Sequence, residues 1–198
     1  MRTENIGFRD VFQIDPSTGR IDLGGNRHIL FDAAAVGALR RELQENLGWE
    51  VARGILLRVG YLCGRHDAQQ LRKHRAFSSD EEMLQAGLRM HCLQGMGCAR
   101  IEALQINRAA EKFNLSGEWV DSFEAAHHLQ HYGIGNRSVC WILEGYGSGY
   151  ASELLKQDIL CLETHCRGKG DNACRFQFQT AEDWGDIGRP IREMLSAG

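Results

Sequence analysis

Four of the seven cysteines fall between positions 140 and 174, and two of them, Cys166 and Cys174, flank a tight turn, RGKGDNA. The flanking segments DILCLETHC and CRFQFQT alternate apolar and polar residues, so the spacing predicts a β-hairpin that brings the two sulfurs together. Cys140 precedes them on a separate element. Thiolates are good ligands for zinc, which takes four ligands in tetrahedral geometry at a structural site. Cys161, Glu163 and His165 share one face of the first strand, and spacing leaves all three open as the fourth ligand. CxxC pairs are absent, and buried cysteines also serve as small apolar residues, so metal binding and plain core packing stand side by side. A closed four-ligand site offers no position for substrate, which places a catalytic metal behind a structural one.

The chain has 198 residues, 43% hydrophobic and 25% charged, with only two prolines, which is the profile of a soluble globular protein. Its net charge is -3 and it has no run of lysines or arginines, so direct nucleic-acid binding is not expected. No stretch approaches eighteen apolar residues, and MRTENIGFRD lacks the apolar core of a signal peptide, so a cytoplasmic protein without a membrane partner is expected. In that compartment an odd number of cysteines argues against a disulfide framework.

Residues 1–31 read as irregular or short-stranded, with turns at Asp15-Pro16-Ser17 and Gly24-Gly25-Asn26. Asp32 caps a helix in which Val36, Leu39, Leu43 and Leu47 recur at helical spacing until Gly48. A second helix starts near Trp49 and carries Ile55, Leu56, Val59, Leu62 and Cys63. A third begins after Ser79, with Glu82 completing a capping box. Strands are expected around Ala99–Ile106 and over FNLSGEWV, then a capped helix in DSFEAAHHLQHYG that ends at Gly133. CWILEGYGSGYASELLKQ is helical despite its glycines, because small residues let a helix approach a neighbouring backbone closely. The tail DWGDIGRPIREMLSAG reads as a short helix leading onward. The fold class is mixed α+β, with helices packed on an antiparallel sheet and a metal-clamped hairpin near the C-terminus.

The segment from Trp119 to Trp184 carries SFE, VCW, GYGSGY, ETHCRGKGDNAC and EDWGD, and upstream stand FDAAAVGALRREL, LRVGYLCG and HCLQGM. With these motifs the chain resembles the sensory module, 4-vinyl-reductase-type domain plus amino-terminal part, of the phenol- and xylene-responsive, sigma-54-dependent activators of aromatic catabolism. The resemblance implies a structural zinc site on Cys140, Glu163, Cys166 and Cys174, leaving Cys161 and His165 outside it. It also implies that His91 and Trp119 hold a phenolic effector. The chemistry suits that pairing, since a neutral histidine can accept from a phenol hydroxyl and an indole N–H can donate to it.

Where phenol sensors carry bulky aromatic walls, this chain has Leu84, Gly117 and Cys161, each smaller. A pocket so widened is expected to admit an effector larger than phenol, such as a hydroxybiphenyl. Leu93, Phe123, Tyr146 and Tyr150 are further candidate walls, while Glu144 is a carboxylate without an evident partner. The expected organisation is an amino-terminal arm over 1–31 that makes a possible dimer contact, a pocket-wall part over 32–120, a zinc and ligand part over 121–183, and a linker from 184 to 198. No G-x-x-x-x-G-K-[ST] loop or basic recognition helix is present, so the ATPase and DNA-binding domains that the resemblance implies lie outside this chain. The expected function is therefore a homodimeric, non-enzymatic sensor that restrains an ATPase until effector binds. The competing readings are a zinc-dependent enzyme acting on small aromatics and a structural or tethering module.

Overall fold

The computed structural model describes residues 12–196. Three short strands, β1 (Phe12–Asp15), β2 (Arg20–Leu23) and β3 (Asn26–His28), form an antiparallel meander. Its two turns fall at the predicted Asp15-Pro16 and Gly24-Gly25 positions, and the Asp15 carboxylate accepts from the Ser17 amide and both neighbouring hydroxyls. The first eleven residues of the expected amino-terminal arm lie outside the described ones. Within the described part, Leu23 is buried and Asn26 donates to Asp67.

Helix α1 (Ala33–Leu47) is capped by Asp32, whose side chain accepts from the Ala34 amide. Its buried positions are Gly37, Arg40 and Gln44, while Leu39 and Leu47 of the apolar stripe face outward. Arg40 turns inward because it has charged and polar partners there: it pairs with Glu124 and donates to the Val139 carbonyl at 2.6 Å. After Gly48, α2 runs through 26 residues, Trp49–His74, and α3 spans Asp80–Leu93 behind its Ser79 cap. Glu82 reaches back to the amide and hydroxyl of Ser78, one residue earlier than a regular capping box.

The main sheet is antiparallel, built from β4 (Cys98–Asn107), β5 (Lys112–Val120), β6 (Ile159–His165) and β7 (Cys174–Thr180) in the order β4-β5-β7-β6. Helix α4 (Phe123–Tyr132) comes after β5, and α5 (Trp141–Leu155) precedes β6. Two short helices, α6 (Ala181–Trp184) and α7 (Arg189–Ser196), finish the described chain. The class is α+β, as the patterning predicts.

Helix α5 lies between the sheet and α2 and is buried nearly all round. Its glycines explain how. A Cβ on Gly145 or Gly149 would stand 2.0 Å from the carbonyl oxygen of Leu57 or Tyr61 in α2. Reciprocally, a Cβ on Gly60 or Gly64 would stand 2.2 or 2.1 Å from the carbonyls of Ile142 or Tyr146 in α5. The two backbones touch without side chains between them. On its other side α5 lays Leu143, Tyr146, Tyr150, Ala151 and Leu154 against Phe113, Leu115, Trp119, Phe176 and Phe178 of the sheet, and this is the largest core cluster.

Cys92 and Cys98 form a disulfide across the loop between α3 and β4. The expectation of a chain without disulfides is thereby corrected. These two cysteines lie only six positions apart and are drawn together by the reversal of the chain between helix and strand, which an argument from cell compartment does not see.

Candidate functional site

An apolar cavity opens between α3, α5 and the concave side of the sheet. Its walls are Leu84, Gly87, Leu88, His91, Ala99, Leu115, Trp119, Leu143, Tyr146, Gly147, Tyr150, Ala151, Phe176 and Phe178, and they enclose about 410 Å³, open mouth included. Of the residues singled out in the sequence, Leu84, His91, Trp119, Tyr146 and Tyr150 meet here. The strand residues Leu115, Phe176 and Phe178 and the small residues Ala99 and Ala151 were not singled out. Their only signal was the period-2 alternation that puts them on the sheet's inner face.

The remaining wall candidates stand elsewhere. Leu93 lines a separate groove with Gly24, His74 and Arg89, between the meander and α3. Phe123 is half-buried at the start of α4. Cys161 is buried behind Gly147, with its Cβ 3.3 Å from where a Gly147 Cβ would lie. At Gly117 a Cβ would stand 2.1 Å from the Arg100 carbonyl oxygen and 2.7 Å from the Phe176 ring, so the volume missing there is filled by Phe176.

The polar groups of the cavity are few, and most are committed. The Tyr146 hydroxyl donates to Asp67 at 2.8 Å and the Tyr150 hydroxyl to the Met83 carbonyl at 2.6 Å. Burial, with the Asp67 carboxylate beside it, holds the Tyr146 phenol well above its ordinary pKa. His91, in the last turn of α3, places Nδ1 2.9 Å from the Gly97 carbonyl. A carbonyl only accepts, so Nδ1 carries the proton and Nε2 is a bare acceptor. Burial lowers the His91 pKa to about 4, which keeps the ring neutral at pH 7. Nε2 is buried and has no hydrogen-bond partner among the described residues. The Trp119 ring packs on Phe176 with centroids 4.8 Å apart.

A second site lies at the far end of α5. Cys140, Glu163, Cys166 and Cys174 are all buried, and their ligand atoms lie within 4.8 Å of one another. The predicted hairpin brings Cys166 and Cys174 together across the turn Arg167–Lys169, and an irregularity in register between Glu163 and His165 interrupts the strand. Glu163 Oε2 accepts from the amides of Val139 and Cys140 at 3.1 and 3.0 Å, while Oε1 has no partner among the described residues. Burial pushes the Cys140 thiol and the Glu163 carboxyl up, so the ionised set is costly without a cation. Three sulfurs and one orphaned carboxylate oxygen at this spacing can hold a metal ion, and the residues fit the group. Of the three candidates for the fourth ligand the structure places Glu163 in the cluster, with His165 exposed and Cys161 apart from it.

Glu144 gains partners that the sequence did not show. Its Oε1 accepts from the Glu163 amide at 2.7 Å, and Arg53 stands 3.8 Å from Oε2. Burial raises its pKa to about 7, against the pull of Arg53 and that amide. It thereby fixes, from α5, the backbone of one member of the cysteine–glutamate cluster.

Residues 7–107 match the family model described as activator of aromatic catabolism, and residues 119–180 match the model of the 4-vinyl-reductase-type domain. The chain is 38% identical over 169 residues to the transcriptional regulatory protein XylR of Pseudomonas putida, covering 85% of this chain and 30% of that protein. It is 33% identical over 185 residues to the phenol regulator MopR of Acinetobacter guillouiae, covering 93% of this chain and 33% of that one. It thus spans about a third of the length of these relatives. The crystal structure of the phenol-responsive sensory domain of the transcription activator PoxR with phenol superposes with a TM-score of 0.91 at 34% identity, covering 99% of this chain and 98% of that one. With a family model over half the chain and a sensory domain matched from end to end, the chain belongs to the activators of aromatic catabolism and corresponds to their sensory module.

Proposed function

We propose that this chain is the effector-sensing domain of a transcriptional activator and that its effector is a phenol. The observation that carries this reading is His91. A buried neutral histidine with one nitrogen tied to a carbonyl and the other aimed unpaired into an apolar cavity is built to accept one hydrogen bond. An aromatic hydroxyl supplies that donor on an otherwise apolar body, and the Trp119 indole N–H completes the pair by donating to the same oxygen. A ligand without the hydroxyl leaves the histidine unpaired, which is the basis of discrimination. A phenolic effector in PoxR and MopR agrees with this chemistry. The small wall residues Leu84, Ala99 and Ala151 favour an effector larger than phenol, such as a hydroxybiphenyl.

The metal of the second site is a structural zinc, held by Cys140, Glu163, Cys166 and Cys174. When bound it supplies a fixed crosslink between the start of α5 and the hairpin. Four protein ligands close the site, so the chain acts as a sensor and not as an enzyme. The exposed apolar side chains Leu39, Leu47, Val51, Val59 and Leu62 on α1 and α2 support a homodimer in which residues 1–31 take part. Residues 184–198 lead to an ATPase and a DNA-binding domain in the cytoplasm, and effector binding lifts the restraint on the ATPase only through its difference in affinity between the two states.

Calorimetric titration with phenol, a dimethylphenol, 2-hydroxybiphenyl and biphenyl, beside a His91→Ala variant, tests this. Binding that requires both the hydroxyl and His91 is the expected result. Phenol binding far more tightly than any two-ring phenol would remove the larger effector, and no binding by any of them would sink the phenolic reading.

A further inference from the structure

Two neighbours determine where His91 points. The Gly97 carbonyl holds Nδ1, and the Tyr146 ring packs against the imidazole with centroids 5.2 Å apart. Both neighbours lead back to one residue. Gln94, in the same loop as Gly97, donates from Nε2 to Asp67 Oδ2 at 2.6 Å, and the Tyr146 hydroxyl donates to that same oxygen at 2.8 Å. Asp67 Oδ1 accepts from Asn26 of the meander at 2.9 Å. Asp67 is 5% exposed and sits on the face of α2 where Gly64 lets the Tyr146 backbone come into contact. That contact brings the carboxylate within reach of the Tyr146 side chain. Both tyrosine and glutamine would find other partners if the carboxylate were lost, and the loop and the ring would then be free to shift independently.

We infer that Asp67, which does not line the cavity, is the positioning residue of the effector site, because its carboxylate fixes both the loop that orients His91 and the ring against which His91 packs. This rests on the phenolic reading of the cavity. Asp67 acts through His91, so its loss degrades recognition of the hydroxyl and spares the apolar contribution of the ring. A merely structural residue would weaken both alike.

The test is titration of the whole protein with 3-methylphenol and toluene, which differ by the hydroxyl alone. Wild type binds 3-methylphenol the more tightly. In Asp67→Asn the affinity for 3-methylphenol falls about tenfold, the scale of one lost hydrogen bond, while that for toluene holds within about twofold. Gln94→Ala and Tyr146→Phe each release one neighbour and narrow the same ratio, and they carry the test if Asp67→Asn does not fold. Asn26→Ala loses a donor that touches neither neighbour of His91, so it lowers the melting temperature and leaves the ratio unchanged. Parallel losses for both ligands in the Asp67, Gln94 and Tyr146 variants, or an unchanged ratio, would overturn the inference and leave the phenolic reading intact. A wild type without preference for 3-methylphenol would overturn both.

Discussion

At the residue scale, His91 couples effector binding to pH in a direction set by burial. Its pKa falls from 6.5 to about 4 on folding, so between those values the unfolded chain binds the extra proton. Its contribution is therefore complete above pH 6.5 and is lost as pH falls towards 4, amounting to about 3 kcal/mol over that window. Phenol affinity is expected to stay flat from pH 8 to 6 and to collapse near pH 4, when Nε2 is protonated and can no longer accept. Calorimetry across that range checks it, and an affinity falling with a midpoint near 6.5 would mean an exposed, ordinary histidine. At the metal site, Cys174→Ser is expected to remove bound metal and lower the melting temperature, measured by metal analysis alongside calorimetric melting. Both sites were partly legible from residue types: three cysteines and a carboxylate around a turn announce a metal, and a histidine with a tryptophan announces a hydroxyl. The aromatic walls Phe176 and Phe178 were not, because in sequence they are ordinary strand residues, indistinguishable from any other inward-facing position.

At the element scale, the α2–α5 pair depends on backbone contact. Gly149→Ala would drive a methyl group to 2.0 Å from the Tyr61 carbonyl oxygen, so the helices must separate. A loss of about 1–3 kcal/mol is expected from overpacking, read as a lower denaturation midpoint in urea. The same change at exposed Gly133, which caps α4 at a positive φ of 69°, strains the backbone without moving any helix pair. The buried Arg40–Glu124 pair acts across three helices, since Glu124 also accepts from the amides of Ile142 and Leu143 at the start of α5. Arg40→Met is expected to cost about 3–5 kcal/mol, because it leaves a carboxylate buried without its cation. Urea denaturation measures this too, and a neutral result would show that the two amides alone satisfy Glu124. Helix boundaries were legible because their signals are local: the side chains of Asp32, Ser79 and Ser122 each accept from an amide two or three residues further along the chain. The inward turn of Arg40 was not, since helical periodicity marks Leu39 and Leu47 as core positions and the partner that reverses this stands 84 residues away.

At the scale of the whole molecule, the apolar side chains left outward on α1 and α2 are expected to be covered by a second copy. Leu62→Glu should shift the protein to monomer in analytical ultracentrifugation with its circular dichroism unchanged, and a wild type that is already monomeric would refute the dimer. No helix among the described residues is long and apolar enough to cross a membrane. What the sequence determined by itself was the set of elements, the hairpin and the chemical character of both sites, because caps, turns and alternation act over a few residues and ligand types are intrinsic to side chains. What only the tertiary structure decided was which candidates converge. It brought His91 and Trp119 to one cavity and sent Leu93 to another groove, filled the space at Gly117 with Phe176, joined Cys92 to Cys98, and placed Asp67 between Asn26, Gln94 and Tyr146. The physical reason is range: these contacts link residues whose separation is set by how helices and strands pack, and no local pattern encodes that packing.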